Sequence, residues 1–262
     1  MNIDLTGRTA VVTGSTGGIG LAAAQALAAA GATVVINGRT PAKVEAAAAG
    51  IRAAGGQARG AVADMNAADG AEVLIAAAPE ADILVSNAAF VGRGDVLEVE
   101  DAAYRQAWQT NVMTPRRLAA HYAPQMVAKG WGRLAFVTTE TARNLDVNMA
   151  AYGVTKLAVH ALSRAIAKKL AATGVTSNVI VPGPTLSEIL YPRIQALAEA
   201  RGVSMDQAGA EFVAEIRPSS LIRRMASVEE VAAMIVYVCS PQASATTGAA
   251  LRCDGGVIED VN

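Results

Sequence analysis

The feature that most constrains the fold is a glycine-rich turn between a short apolar strand and an alanine-rich helix. The run Thr9–Thr13 does not alternate in polarity, which predicts a strand buried on both faces. The turn TGSTGGIG follows at positions 13–20, and Gly18–Ala30 then predicts a helix that ends at Gly31. A doubly buried strand that passes through a tight turn into a helix is typical of parallel α/β sheets.

The same alternation of strand and helix continues along the chain. Further strands are predicted at Thr33–Asn37, Gln57–Ala63, Asp82–Ser86, Arg133–Thr138, Val175–Val181 and Ala249–Cys253. Helices are predicted at Pro41–Ala54, Ala67–Ala78, Asp101–Lys129 with an irregularity at Pro115, Ala150–Thr173 and Val228–Cys239. This pattern predicts an α/β fold: a Rossmann-like, doubly wound parallel sheet of seven strands with helices on both faces, in three αβα layers.

One segment breaks this rhythm and is predicted to be a lid. Residues 184–227 contain helical stretches, two prolines (Pro192 and Pro218) and no predicted strand. They come between the last two strands, so we expect them over the carboxyl edge of the sheet, where ligands bind in such folds. No repeat or linker divides the sequence, and we expect residues 1–262 to form a single domain that includes this lid.

Composition excludes several classes of function. Hydrophobic residues make up 52% of the chain, which argues against disorder. The net charge is −1, which disfavours binding to nucleic acid or to an anionic membrane. No apolar run approaches the ~20 residues of a membrane span, and the default expectation is a cytoplasmic protein. Neither His121 nor His160 has partners at metal-ligand spacing, and Cys239 and Cys253 suggest buried thiols, so no metal site is predicted.

The glycine turn predicts a binding site for a pyrophosphate. Gly14 permits a tight turn, while Gly18 and Gly20 allow close approach of the backbone to phosphate and of the helix to the strand. The helix N-terminus adds free N–H groups and a partial positive charge. No lysine follows the turn, which excludes a P-loop. The alternative is a tight loop without a ligand, and the strand–turn–helix context favours the dinucleotide site.

Several motifs in order resemble the short-chain dehydrogenase/reductase family, over essentially the whole chain. They are TGSTGGIG at 13–20, Asp64 after the third strand, SNAA at 86–89, Asn111, YGVTK at 152–156 and PGPT at 182–185. The resemblance implies an NAD(P) cofactor, a carbonyl or alcohol substrate, and assembly as a homodimer or homotetramer. It implies that Tyr152 is the general acid/base, that Lys156 assists it and holds the nicotinamide ribose, and that Asn111 belongs to a proton relay.

The pair of Tyr152 and Lys156 is also what the chemistry requires. A free tyrosine has a pKa of about 10, so proton exchange near pH 7 needs about 4 kcal/mol of stabilisation of the phenolate. A nearby ammonium supplies this, and the i, i+4 spacing places both side chains on one helix face. Thr139 stands where the family usually has serine; its hydroxyl can donate the same hydrogen bond to substrate, but its methyl narrows the site. Ala89 likewise replaces a glycine of the family pattern.

The choice of cofactor is predicted from the end of the second strand. NAD enzymes usually place a carboxylate there, but this chain has Gly38 followed by Arg39, which can pair with a 2′-phosphate. Asn37 and Ser15 are expected to add hydrogen bonds, and we predict NADP(H) over NAD(H). The complete predicted cofactor set is Gly14, Ser15, Thr16, Gly18, Ile19, Gly20, Asn37, Arg39, Asp64, Met65, Asn87, Ala88, Ala89, Tyr152, Lys156, Pro182, Gly183 and Thr185.

Three questions stay open at this level. The same site could serve another carbonyl-linked step such as dehydration, or the protein could bind a dinucleotide without turnover, an alternative motivated by Thr139. Glu140 and Arg143 could reach the substrate or belong to a solvated loop. Trp108 and Trp131 are interpreted as packing residues or subunit contacts.

Overall fold

A computed structural model of the protein describes residues 2–261. It contains a single parallel sheet with the strand order β3-β2-β1-β4-β5-β6-β7. The strands are β1 Thr9–Val12, β2 Thr33–Gly38, β3 Gln57–Val62, β4 Ile83–Ser86, β5 Gly132–Val137, β6 Val175–Pro182 and β7 Ala250–Cys253. The predicted doubly wound, seven-stranded fold is confirmed, and the strand order reverses between β1 and β4.

Helices connect successive strands and cover both faces of the sheet. They are α1 Gly18–Ala29, α2 Pro41–Ala53, α3 Gly70–Ala77, α4 Asp101–Trp108, α5 Thr114–Ala128, α6 Ala150–Lys169, α7 Tyr191–Arg201, α8 Met205–Ile216 and α9 Val228–Val238. Two large apolar clusters follow from this arrangement. One lies between the sheet and α1, α2 and α9, and the other lies between the sheet and α3, α5 and α6. Within residues 2–261, no helix has both the length and the apolar character needed to span a bilayer.

The central strands explain why the sequence shows apolar runs without alternation. Val11 of β1 lies opposite Val35 of β2 and Leu84 of β4, and all three side chains are buried. Their neighbours in the chain point to the other face, which helices also cover, so that the central positions of these strands are apolar on both faces.

The helix predicted at Asp101–Lys129 is interrupted, but not at Pro115. A single π-helical turn, Gln109–Met113, separates α4 from α5, and Pro115 lies in the first turn of α5. Proline has no N–H, so the carbonyl of Asn111 cannot receive the usual α-helical hydrogen bond from position 115. The interruption therefore precedes the proline and includes Asn111 itself.

The predicted lid contains α7 and α8, which form a small core of their own. Ile194 and Ala198 of α7 pack against Phe212 and Val213 of α8. A parallel bridge between Thr185 and Ala226 brings the two ends of the segment together. The lid is thus a separate apolar cluster inserted between β6 and β7.

Candidate active site

The glycine turn lies at the carboxyl edge of the sheet, beside the point where the strand order reverses. Gly14 and Gly18 have φ values of +61° and +54°, a left-handed conformation that side chains disfavour. A Cβ at Gly20 would clash with the carbonyl of Gly14 and lie 2.5 Å from Asn87 Nδ2. The turn and the helix therefore pack as closely as the sequence predicted.

Asn87, which follows β4, braces this turn from the neighbouring strand. Its Nδ2 donates to the carbonyls of Thr13 (3.1 Å) and Gly14 (3.0 Å). The Thr13 hydroxyl accepts from the backbone N–H groups of Asn87 (2.9 Å) and Ala88 (3.0 Å). Ala89, the departure from the family glycine, is exposed and does not have a positive φ, so the structure accommodates its methyl group.

Asn37 and Ser15 hold the other side of the turn, and this changes their predicted role. Asn37 is fully buried; its Oδ1 accepts from Gly14 N, and its Nδ2 donates to the carbonyls of Ala61 and Ala63. The Ser15 hydroxyl donates to Val12 O and accepts from Asn37 N. Both side chains are saturated by the backbone, so they shape the phosphate turn instead of reaching a 2′-phosphate.

The position that carries a carboxylate in many NAD enzymes has no room for a side chain. A Cβ at Gly38 would lie 2.6 Å from Thr16 Cγ2 and 3.2 Å from Val44 Cγ2. Next to it, Arg39 is exposed and makes no ion pair or hydrogen bond with any residue in 2–261. The edge of β2 therefore presents a free guanidinium where the sequence predicted one.

The loop after β3 forms the next part of the cleft. Asp64 Oδ1 accepts from the backbone N and from Nδ2 of Asn66, and the Asn66 Oδ1 accepts from the hydroxyl of Thr110. The side chain of Met65 is buried in the core, and its carbonyl accepts from Thr114. Asp64 thus lies at the surface of the cleft, while Met65 offers only its backbone there.

The loop after β6 lies across the cleft from the glycine turn. Its Gly183 packs so tightly against the backbone of Asp254 that a Cβ would overlap it, and the Thr185 hydroxyl donates to Gly183 O. Farther along this loop, Glu188 lies over Gly17, the position where many NADP members have a basic residue; a Cβ there would collide with the Glu188 carboxylate. Pro182 ends β6 and starts this loop.

The predicted pair Tyr152 and Lys156 lies one turn apart on α6. Lys156 Nζ is 5.7 Å from the centroid of the Tyr152 ring and donates to Val137 O at 2.7 Å. Only 3% of Lys156 is exposed, and burial lowers its pKa to about 7. Burial also raises the pKa of Tyr152 above its usual value, Glu140 raises it further, and a hydrogen bond with Thr139 opposes the rise. In this state the phenol is protonated.

Thr139 and Thr138 point in different directions, as strand alternation predicts. The Thr139 hydroxyl accepts from Thr141 N at 3.2 Å, which begins the 3₁₀ turn Glu140–Ala142, and Thr139 lowers the pKa of the Tyr152 phenol. The Thr138 hydroxyl donates to Ile180 O and contacts His160 Nε2. Thr139 is therefore the hydroxyl that accompanies the phenol.

Hydrogen bonds from Asn111 join the π-helical turn to the cofactor cleft and to the catalytic helix α6. Its Oδ1 accepts from Phe90 N (2.8 Å), while its Nδ2 donates to Phe90 O (3.0 Å) and to the Thr155 hydroxyl (2.9 Å). Its amide has no N–H left for a proton relay. The main-chain carbonyl of Asn111 receives no α-helical hydrogen bond, because residue 115 is a proline. This carbonyl is therefore the group of Asn111 that could take part in the predicted proton relay.

Glu140 is the residue that sequence reasoning left undecided, and Arg217 is the one it missed. Glu140 is buried, with 4% of its surface exposed, and its Oε1 accepts from Arg217 Nε at 2.8 Å. These residues are 77 positions apart, so no local pattern could connect them. Arg143, the other undecided residue, forms an ion pair of 2.6 Å with Asp260.

The backbone groups and the shape of the cleft fit a dinucleotide. The N-terminus of α1 has no side-chain cap and no acidic residue in its first turn, and its N–H groups can receive an anion once the Glu188 carboxylate, which lies over Gly17, moves away. Glycines line the approach, and the carboxyl ends of β1, β2 and β4 surround it. Within residues 2–261, no group of three or more His, Cys, Asp or Glu side chains is placed to hold a metal.

Comparison with known proteins gives a consistent result. The sequence profile described as short chain dehydrogenase matches residues 8–197. An uncharacterized oxidoreductase of Bacillus subtilis is 36% identical over 100% of both chains. The D-beta-hydroxybutyrate dehydrogenase of Cupriavidus necator is 35% identical over 96% of this chain and 98% of its own. L-sorbose reductase from Gluconobacter frateurii, solved with NADPH and L-sorbose, has a TM-score of 0.91 at 28% identity and full coverage of both chains.

One conclusion follows from the glycine turn, from the arrangement of Thr139, Tyr152 and Lys156, and from these similarities. The chain belongs to the short-chain dehydrogenase/reductase family and is an oxidoreductase of alcohol and ketone groups that uses a nicotinamide dinucleotide.

Proposed function

We propose that the protein is an NADP(H)-dependent oxidoreductase that interconverts a carbonyl and a secondary alcohol, with Tyr152 as the general acid/base. The observation that carries this proposal is the buried Lys156, whose Nζ lies 5.7 Å from the centroid of the Tyr152 ring. Thr139 supplies a hydroxyl that lowers the pKa of the same phenol. These groups lie on α6 and at the end of β5, at the edge of the sheet that also carries the glycine turn. A proton donor thus lies beside the cofactor cleft.

The chain's own residues perform the binding and the proton transfer. The nicotinamide ring, when bound, donates or accepts the hydride. In reduction, the Tyr152 hydroxyl gives its proton to the substrate oxygen, and the Thr139 hydroxyl donates a hydrogen bond to that same oxygen. Lys156 stabilises the resulting phenolate by its charge. The raised pKa of Tyr152 suits this direction, because the phenol holds its proton until the substrate takes it.

Protonation of Lys156 is the condition for this chemistry. Burial lowers its pKa to about 7, so in the free protein a large fraction of the amine is neutral near pH 7. Formation of a phenolate at Tyr152 places a negative charge next to the amine, and this favours the ammonium. We therefore propose that Lys156 is charged when it is needed, namely when the proton leaves Tyr152.

The preference for NADP(H) rests on the edge of β2. Arg39 is exposed and without a partner in residues 2–261, and Gly38 leaves no space for the carboxylate that would repel a 2′-phosphate. Pairing of a phosphate with a guanidinium contributes about 1.5–3 kcal/mol. We expect Arg39→Gln to lower kcat/KM with NADPH by about 10- to 100-fold and to leave kcat/KM with NADH within about twofold.

The matched control for this measurement is Lys43→Gln, because Lys43 is an exposed cation of α2 that forms no ion pair or hydrogen bond among the described residues 2–261. It should leave both cofactors unchanged. A wild-type enzyme that prefers NADH, or an Arg39→Gln variant that loses both cofactors equally, would refute the NADP(H) proposal.

The chemistry is tested with Tyr152→Phe on a panel of ketones and secondary alcohols. The panel should include ketoses and short β-keto acids, because relatives named above act on L-sorbose and on D-β-hydroxybutyrate. We expect wild-type turnover to fall by about 10²–10⁴-fold in the variant, with binding of NADPH retained. Binding without turnover of any panel member by the wild type would favour the non-catalytic alternative. Water loss from a hydroxylated carbonyl substrate, detected without cofactor oxidation, would favour dehydration.

We also propose that the protein assembles as a homodimer or homotetramer. Trp108 of α4 and Val154 and Leu157 of α6 are apolar side chains that are 46–47% exposed, and α4 and α6 are in contact. Burial of these side chains against a second copy would remove them from water. Trp131, in contrast, contacts the guanidinium groups of Arg8 and Arg133 in the same chain. Its position is therefore explained by packing without a subunit contact. Light scattering of wild type and Leu157→Glu tests the assembly.

A further inference from the structure

The lid residue Glu188 lies directly on the phosphate turn of the cofactor cleft. A Cβ built at Gly17 would overlap Oε2 of Glu188 and would lie 2.9 Å from Cδ and 3.2 Å from Oε1 of the same carboxylate. At the next position, a Cβ on Gly18 would lie 3.5 Å from the Cβ of Ser187. The carboxylate of Glu188 therefore rests against Gly17, which is the N-cap residue of α1.

The charge at the end of α1 gives a physical reason for this position of the carboxylate. Glu188 is exposed and forms no ion pair or hydrogen bond with another residue in 2–261. The N-terminus of α1 has no side-chain cap and no acidic residue in its first turn. Free N–H groups and the helix dipole at such an end attract a negative charge. Glu188 thus brings an anion to the helix end that also attracts the phosphates of a dinucleotide.

A short turn of the lid that is anchored on both sides presents Glu188 to α1. The backbone N–H of Leu186 donates to Ala226 O at 2.9 Å, and that of Leu190 donates to Ser187 O at 2.9 Å. The side chains of Leu186 and Leu190 pack against the apolar cluster of α7 and α8. The backbone around Glu188 is therefore held in place, and its side chain is the part that can turn away.

The structure has room for this movement of the side chain. A cavity of about 430 Å³ lies between α1 and the lid, and Gly18, Tyr191 and Glu229 are among the residues that line it together with Glu188. Glu229 is a second acid on this cavity, but it belongs to the first turn of α9. The three atoms nearest to a Cβ at Gly17 all belong to Glu188. Of the two acids, Glu188 is therefore the one in contact with the phosphate turn.

We propose that Glu188 competes with the cofactor: its carboxylate and the pyrophosphate of the dinucleotide occupy the N-terminus of α1 alternately, so that the cofactor must displace Glu188 to bind. The two anions exclude each other, because like charges at contact distance repel. Glu188 therefore limits how tightly the protein holds either dinucleotide. This competition depends on the dinucleotide site of the family and on neither Tyr152 nor Arg39.

Removal of the charge should strengthen cofactor binding. Glu188→Gln keeps the volume of the side chain and should lower the dissociation constants of NADPH and NADH by the same factor, about two- to fivefold. The factor is common to both because both carry the pyrophosphate. Inorganic pyrophosphate, measured as a competitor of NADPH in a fluorescence titration, should gain affinity by a similar factor. None of these measurements needs turnover or a known substrate.

Two further variants separate direct competition from the effect of net charge. Glu229→Gln removes an exposed acid from the same cavity and should leave the three affinities unchanged. Gly17→Ala retains the charge of Glu188 but introduces the Cβ that overlaps its carboxylate, so it should also strengthen pyrophosphate binding. Gly17 has a φ of −173°, an extended conformation that alanine adopts. In a Glu188→Ala background, Gly17→Ala should have no further effect, because no carboxylate is left to displace.

Several results would overturn the inference. Weaker binding of the dinucleotides to Glu188→Gln would mean that the carboxylate holds the cofactor instead of excluding it. An unchanged affinity for pyrophosphate, an equal gain in Glu229→Gln, or an effect of Gly17→Ala that is the same with and without the Glu188 side chain would also contradict the competition. A preference for NADH with the predicted gains intact would refute the proposed NADP(H) dependence alone.

Discussion

Substitution of Gly20 by alanine is the sharpest test of how the cofactor cradle is built. A Cβ at this position would overlap the carbonyl of Gly14 and lie 2.5 Å from Asn87 Nδ2, so the backbone or the amide must move. Overpacking of a well-packed site costs about 1–3 kcal/mol. Displacement of Asn87 would also weaken its hydrogen bonds to Thr13 O and Gly14 O, at about 1 kcal/mol each.

The helical location of Gly20 reduces this cost only partly. Alanine is favoured over glycine in a helix interior by about 1 kcal/mol, and Gly20 does not have a positive φ. The net expectation is a loss of about 3 kcal/mol in the free energy of unfolding, and a fall in Tm of roughly 10 °C for a chain of this size. Binding of NADPH should weaken as well, because the amide that moves also holds Gly14.

Gly50 provides a matched control of opposite sign. It also lies inside a helix, α2, but a Cβ there would meet nothing within 4 Å. Gly50→Ala should therefore stabilise the protein by about 1 kcal/mol and leave NADPH binding unchanged. Urea unfolding, thermal melts and fluorescence titration with NADPH measure these effects. If Gly20→Ala is as stable as wild type within about 0.5 kcal/mol and binds NADPH equally, the reasoning from close packing is wrong.

Two further predictions concern the catalytic pair and its neighbour. The pKa of Lys156 is about 7 in the folded protein, against an ordinary value of 10.5. Between these two pH values the unfolded chain binds more protons than the folded protein. The free energy of unfolding should therefore rise with pH over this range. From pH 7 to pH 9, the free energy of unfolding without cofactor should rise by up to roughly 3 kcal/mol. Urea unfolding should show no such rise in the Lys156→Met variant. Thr139→Ser should keep kcat within a few-fold, whereas Thr139→Val should lower it by about 10²–10³-fold if its hydroxyl is the substrate donor. Steady-state kinetics on both variants checks this, and an active Thr139→Val would remove Thr139 from the mechanism.

The fold could be predicted from the sequence for a physical reason. Apolar runs without alternation require burial on both faces, and helices between them require parallel strands, which together leave few topologies. Strand bounds differ by only a residue or two, as at Thr9–Val12 against the predicted Thr9–Thr13. The long helix predicted at Asp101–Lys129 is present as α4, a π-helical turn and α5, and only the position of its irregularity differs from the prediction. Proline indicated an irregularity, but the π-helical turn begins six residues before Pro115, at Gln109.

The buried polar residues were harder to interpret. The sequence placed Asn37 and Asn87 at the cofactor and Asn111 in a proton relay, but their amides bond to backbone groups of neighbouring strands and loops and, for Asn111, also to the Thr155 hydroxyl. A motif shows that an amide is needed at a position. It does not show whether the amide meets a ligand or a carbonyl of the protein, because its partners are 21 to 74 residues away in the chain.

By itself, the sequence determined the parallel α/β sheet, the glycine turn and the placement of Tyr152 and Lys156 on one helix face, because each depends on local spacing and on burial periodicity. Only the tertiary structure decided which side chains complete the site. A side chain at position 38 would crowd the methyl group of Thr16, and Glu140 is buried against Arg217 from the lid. Such contacts arise where separate elements pack against each other, and side-chain packing across a sheet edge leaves no periodic trace in the chain.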